Sequence, residues 1–163
     1  MRRWLILAAV IVVADQVTKY AVVQALAGGK SVVLAPFLNL VLVYNPGAAF
    51  SFLSDAAGWQ RGFFIAIALG ASAWIVYLLH RYPGQRLFSL ALSLVLAGAV
   101  GNVIDRIAHG AVVDFLDFHA LGWHWPAFNV ADSAITCGAV LLIWDALWPA
   151  AAREAQPGAG RQP

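Results

Sequence analysis

The sequence predicts an all-α integral membrane protein with four spans. Three observations carry that reading. Hydrophobic residues make up 62% of the 163-residue chain and charged residues only 11%, well below the ~25% of an ordinary soluble domain. A chain this short cannot hide so much apolar surface in one aqueous core, whereas hydrocarbon imposes no penalty on it. The apolar residues also gather into four stretches near the ~20 residues that a span requires.

The first stretch runs from about Trp4 to Leu26. Arg2-Arg3, an apolar run and Ala25-Leu26-Ala27 imitate a secretory signal peptide. Asp15 and Lys19 interrupt that run, which suits a retained helix packed inside a bundle. The residues between the first two stretches are more than a linker. Ser31–Tyr44 is β-branched and aliphatic with a Pro break, too short to span, and predicts a small extended element at the membrane surface. Asn45-Pro46-Gly47 then marks a turn. The second span runs from about Gly62 to Leu79, the third from Leu87 to Ile104 and the fourth from Val130 to Trp148. The Ala-, Gly-, Pro- and Gln-rich tail over 150–163 reads as a disordered cytoplasmic end. A single domain is expected over 1–149.

Arg and Lys set the expected orientation. Arg2, Arg3, Arg81, Arg86, Arg153 and Arg161 fall on one side, against Lys30, Arg61 and Arg106 on the other. Both termini are therefore expected in the cytoplasm, with 27–61 and 105–129 facing outward. The net charge of +2 includes no basic run, so nucleic-acid binding has little support. The lone cysteine, Cys137, allows neither an intrachain disulfide nor a thiolate metal cluster. His109, His119 and His124 read as loop residues whose spacings fit no closed metal site. Ser133 has no nucleophile-elbow context, and Gly28-Gly29-Lys30 lacks the P-loop pattern.

Ionisable residues at membrane depth each need an explanation. Asp15 and Lys19 are four apart and read as an i,i+4 pair. Gly98 and Gly101 allow another helix or a substrate close to the third span. Asn102 and Asp105 share a face, and Asp105-Arg106 reads as an interfacial ion pair. Asp114 lies in an aromatic and aliphatic run that should raise its pKa by desolvation. Asp117, three residues on, reads as facing water. Asn129 is an N-cap candidate, which makes Asp132 a capping carboxylate stabilised by the helix dipole. The sharper reading pairs Asp114 with Asp132 across the outer loop. Two carboxylates a few ångströms apart share a proton, so one activates water while the other polarises a scissile carbonyl. A second version pairs Asp105 with Asp132. A different class, a proton-coupled transporter or channel, would use Asp15, Lys19 and Asp132 as a relay. A third reading is a non-catalytic assembly factor.

Five segments, in order, resemble the lipoprotein signal peptidases (signal peptidase II) of bacteria. They are Asp15-Gln16-Val17-Thr18-Lys19, Asn45-Pro46-Gly47-Ala48-Ala49-Phe50, Gly101-Asn102-Val103-Ile104-Asp105-Arg106, Val112-Val113-Asp114-Phe115 and Phe128-Asn129-Val130-Ala131-Asp132-Ser133. The resemblance implies four transmembrane helices, a small periplasmic β-cradle and a short periplasmic helix in the bacterial inner membrane. It also implies cleavage of diacylglyceryl-modified prolipoproteins just before the lipidated Cys, without metal or organic cofactor, and inhibition by globomycin. A monomer working among membrane lipids is expected. Asp114 and Asp132 match the catalytic dyad, with either residue free to be the base. Asn102, Arg106 and Asn129 match positioning residues. Asp15, Lys19, Asn45, Gly98, Gly101, Asp105 and Ala131 match supporting or substrate-lining ones. Phe50–Leu53 and the Trp123–Trp125 loop are expected to cover the site.

Overall fold

A computed structural model describes residues 1–47 and 59–148. The predicted short periplasmic helix, the Phe50–Leu53 segment and the 150–163 tail lie outside the described residues. Among the described residues, four helices are long and apolar enough to cross a membrane: α1 (Arg2–Leu26), α2 (Trp59–Arg81), α3 (Arg86–His109) and α4 (Val130–Leu147). They match the four predicted spans. One boundary moves: α3 continues to His109, five residues beyond its apolar run. It ends where Gly110 takes a left-handed conformation (φ 79°) and donates its N–H to the Arg106 carbonyl at 3.1 Å, a cap that costs glycine no Cβ strain.

α3 is the hub of the bundle. Over half of its apolar window is buried (56%), against 17% for each of the other three helices. The outward faces of those helices carry side chains such as Val10, Val13, Ile67 and Ile143, suited to lipid rather than water. Close approach of α4 and of α1 to α3 depends on missing side chains. A Cβ on Gly98 would lie 2.2 Å from the Ala131 carbonyl oxygen, and one on Gly101 would lie 2.7 Å from Asp15 Oδ2. At the far end of the bundle, Ala8, Ile75, Leu79, Leu92, Leu96 and Ala97 form one apolar core.

The other end carries an antiparallel sheet in the order β1-β2-β3-β4: β1 (Val32–Ala35), β2 (Leu38–Asn45), β3 (Val112–Ala120) and β4 (Trp123–His124). The first two strands fulfil the expected extended element. β3, within the segment expected only as an outer loop, is the longest strand. Its burial does not alternate cleanly, so its sequence carries no period-2 signal. Consequently His119 and His124 are strand residues and His109 closes a helix, a correction to the loop reading. Phe115 of β3 packs on Val22 and Leu26 of α1, which ties the sheet to the bundle.

Two details aim β3 at the bundle. Between the pairs Leu40–Leu116 and Val43–Asp114, β2 has two residues where β3 has one; this bulge sits beside Asp114. The segment entering α4 is stitched to β3 as well. Phe128 donates its N–H to the Leu116 carbonyl at 3.1 Å, and its carbonyl accepts from Phe115 and Leu116 at 3.0 and 2.8 Å. That stitching sets Asn129 next to Asp114.

Candidate active site

The described charged side chains that are buried, namely Asp15, Lys19, Asp105, Asp114 and Asp117, collect toward the sheet end. Asp15, Lys19 and Asp105 form one cluster; Asp114 belongs to a second with the half-buried Asp132, and Asp117 stands apart from both. In the first, the Lys19 ammonium lies 2.8 Å from both Asp15 Oδ2 and Asp105 Oδ2 and donates to Asn102 Oδ1 at 3.1 Å. Its three donors are thereby all used. Asp15 Oδ1 accepts the Ala131 backbone N–H at 2.9 Å, tying α1 to the start of α4. Asp105 Oδ2 accepts the Val113 N–H at 3.0 Å, tying α3 to β3. Gln16 bridges the two carboxylates through Nε2, at 3.1 Å to Asp15 and 3.0 Å to Asp105. The expected Asp15–Lys19 pair is present, but Asp105 pairs with Lys19 rather than with Arg106. Adjacent helical residues diverge, so Arg106 instead donates to the Asn102 carbonyl at 3.3 Å and stacks over Phe64 at 5.2 Å.

The second cluster contains Asp114 and Asp132, and asparagines surround it. Asn129 caps α4: its Oδ1 accepts the Asp132 N–H at 2.9 Å, and Asp132 Oδ2 accepts the Asn129 N–H at 3.2 Å. The N-cap and the capping carboxylate expected from sequence thus close into a reciprocal capping box. The same Asn129 donates through Nδ2 to Asp114 Oδ1 at 2.7 Å. Asn45 donates to Asp114 Oδ2 at 3.0 Å, and Asn102 donates to Asp132 Oδ1 at 2.8 Å. One asparagine thus contacts both carboxylates, and each of their four oxygens has a donor.

These amides cannot be turned around. An asparagine's oxygen only accepts and its nitrogen only donates. Lys19 can only donate, so Asn102 must give it the oxygen and present its NH₂ to Asp132. The Asp132 backbone N–H claims Asn129 Oδ1, and the Gly47 N–H claims Asn45 Oδ1 at 2.9 Å. An obligate donor behind each asparagine therefore fixes its amide toward the pair.

Asp114 is 2% exposed. Burial is the main cause that pushes its pKa up to about 6, and the nearby Asp132 charge adds to it; Asn45 and Asn129 pull the other way. The desolvation expected from its apolar neighbours is present. Asp132 is less buried. With Trp125, Phe128, Ser133, Thr136 and Cys137 it lines a cavity of about 460 Å³ beside α4.

Other expectations change. Asp117 does not face open water: cross-strand pairing sets it opposite Asn39. It accepts from Asn39 Nδ2 at 3.0 Å and lies 2.8 Å from His124 Nδ1. These contacts hold its carboxyl below the usual range. Trp125 borders the Asp132 cavity, whereas Trp123 lines a separate recess. The bridging role of Gln16 went unread in the sequence. A signal existed, since Gln16 and Lys19 are three apart and share a face of an otherwise apolar helix.

Comparison with known proteins identifies the family. The profile of the signal peptidase (SPase) II family matches residues 7–148. A lipoprotein signal peptidase of Janthinobacterium sp. (strain Marseille) is 57% identical over 147 residues, covering 90% of this chain and 89% of the relative. One from Burkholderia mallei (strain SAVP1) is 58% identical over 144 residues, covering 88% and 87%. A bacterial membrane enzyme solved by the in meso method at 2.3 Å superposes with a TM-score of 0.80 at 33% identity, over 100% of this chain and 95% of that one. The matched residues take in all four spans and both carboxylate clusters, and the chain belongs to the signal peptidase II family.

Proposed function

We propose that the protein is an aspartic endopeptidase that removes the signal peptide from diacylglyceryl-modified prolipoproteins, cleaving just before the lipidated Cys. The observation that carries this reading is Asn129, which hydrogen-bonds Asp114 through its side chain and Asp132 through its backbone. Family membership and the names of the relatives support the substrate class.

Asp114 and Asp132 share one proton, because neighbouring carboxylates resist double ionisation. The ionised member takes a proton from a water held in the Asp132 cavity, and that water attacks the scissile carbonyl. The protonated member gives its proton to the developing oxyanion; when the resulting gem-diol collapses, the other member passes the proton taken from water to the leaving amine and a diol hydroxyl returns a proton to the first. No side chain becomes covalently attached. Asn45, Asn102 and Asn129 keep the pair oriented without supplying a competing charge. Lys19, with Asp15 and Asp105, orients Asn102 from behind. Gly98, Gly101 and Ala131 let α4 sit close enough to bring Asp132 to β3. Arg106 stands behind Asn102.

A single peptidase domain over 1–149 with cytoplasmic termini would put the sheet end at the periplasmic face of the inner membrane. The Arg and Lys distribution supports that orientation. The acyl chains of the substrate would then hold its scissile bond at the depth of the pair. The enzyme works as a monomer among membrane lipids, and globomycin is expected to compete for the same cavity.

The test is incubation of the purified protein with a diacylglyceryl-prolipoprotein, with and without globomycin. Globomycin-sensitive release of the signal peptide is expected. Normal cleavage by Asp114→Asn or Asp132→Asn would sink the dyad. Proton flux into liposomes without cleavage would favour the transporter reading, although the buried charges are not spread across the bilayer depth as a relay requires.

A further inference from the structure

The hairpin between β3 and β4 has the wrong surface for water. Residues 118–128 contain no Asp, Glu, Lys or Arg. At its tip Leu121 is fully exposed (108%) and takes a left-handed conformation, φ 52°. Leucine is strained there, where Asn, Asp or Gly is the usual occupant. Trp123 and Trp125 follow, each more than half exposed. A tip that costs backbone strain and shows leucine and tryptophan has no reward in water. It has one at a lipid interface, where tryptophan and leucine partition favourably.

The rest of the sheet agrees. Its outer strand β1 exposes Val32, Val33 and Leu34, and the adjoining turn exposes Phe37. Edge strands that face water normally carry charge or proline protection. Phe37, Phe118 and Phe128 stack in series, with centroids 6.1 and 5.7 Å apart. With Trp123 and Trp125 they line a nearly wholly apolar recess of about 450 Å³. Trp125 and Phe128 also border the cavity that includes Thr136 and Cys137 of α4. The recess and the Asp132 cavity share Trp125 and Phe128, so the aromatic face of the hairpin adjoins α4, a membrane-spanning helix.

We propose that this hairpin is a second membrane anchor: Leu121 and Trp123 insert into the interfacial layer of the bilayer and seat the sheet against the lipid. The occupant of the aromatic surface is thus membrane lipid, rather than a second copy of the chain or a substrate beneath a closed lid.

Leu121 makes the test one of sign. Asparagine accepts the left-handed conformation better than leucine does. If the tip faces water, Leu121→Asn relieves strain and stabilises the protein in both detergent and bilayer. If the tip is inserted, the variant loses its seat. The full chain is reconstituted into phosphatidylcholine vesicles containing bromine-labelled phosphatidylcholine with the label at graded depths. The Trp123 signal is obtained as the difference between wild type and Trp123→Phe. Strongest quenching by the shallow label is expected, with most of it lost in Leu121→Asn and no gain in bilayer melting temperature. Trp123 emission unquenched at every depth would overturn the proposal. So would quenching abolished by saturating prolipoprotein, the behaviour of a lid, or a melting temperature raised in bilayers by Leu121→Asn.

Discussion

Two groups of carboxylates meet at the same end of this bundle and are held by opposite means. Asp15 and Asp105 face an ammonium at 2.8 Å. Asp114 and Asp132 face amides, from Asn45, Asn102 and Asn129. A cation close by engages a carboxylate in an ion pair. Amide donors orient a carboxylate without neutralising it, so a buried pair keeps a proton to move. The first cluster reads as framework and the second as chemistry, and Asn102 joins them: its oxygen answers to Lys19 and its nitrogen serves Asp132.

The comparison breaks most directly at the pair. Asp114→Asn and Asp132→Asn should each lower kcat for prolipoprotein cleavage by about 10³-fold or more, and the double variant should be scarcely worse than either single one. Asp114→Asn should change the thermal midpoint in detergent little, because removing a carboxyl that is costly to ionise in place offsets the amide nitrogen it turns toward Asn45 or Asn129. A large loss of stability with activity retained would exchange the roles of the two clusters.

The framework should respond in stability first. Lys19→Met leaves Asp15 and Asp105 buried without their cation, a loss of about 3–5 kcal/mol, read as a lowered thermal midpoint. It also frees the Asn102 amide to turn, so kcat should fall even at temperatures where the variant is folded. A variant as stable as wild type would show that Lys19 is dispensable to the frame. A smaller effect is expected at Asp105. Asp105→Asn retains an oxygen for the Val113 N–H, and Lys19 keeps Asp15. Activity within about 10-fold of wild type is expected, with a thermal midpoint lowered by the weakening of one charge-assisted contact. Loss equal to that of Asp132→Asn would restore the pairing of Asp105 with Asp132.

Much of this was legible in the sequence because membranes make residue patterns explicit. Span lengths, the Asp15–Lys19 spacing, the Asn129 cap and the small residues at Gly98 and Gly101 all follow from rules that act within one helix or at one close contact. What stayed hidden depends on chain segments far apart in sequence. β3 has no alternation because a bulge, the α1 contact of Phe115 and the Phe128 stitch each claim a different side of it. Asp117 looked solvated because its partner Asn39 lies 78 residues away. Lys19 could be matched to Asp15 by spacing, but its bond to Asn102 spans 83 residues. Residue patterns alone leave Asp15, Asp105, Asp114, Asp117 and Asp132 unranked, and only the family resemblance singles out Asp114 and Asp132. The cation beside two of them and the amides around Asp114 and Asp132 supply that ranking.

The finest test of the amide cluster is a pH profile. Burial raises Asp114 to about 6, while the Asn45 donor holds it lower than burial alone would. The folded protein therefore binds this proton more tightly than the unfolded chain does. The associated stability is present below the unfolded carboxylate range and is lost as pH rises through about 6. For catalysis, the shared proton leaves the free enzyme in that same region, so kcat/KM should fall on its alkaline side. Asn45→Ala removes a donor that favours the ionised form. The alkaline limb should then move to higher pH, by about one unit for the loss of one hydrogen bond to a charged group. The maximal rate should fall only modestly, because Asn129 still holds the other Asp114 oxygen. An alkaline limb that stays in place would mean that the catalytic proton is not governed by Asp114. A limb moved toward acid would mean that Asn45 stabilises the protonated form, and the amide cluster would then act in the opposite sense to the one derived from its geometry.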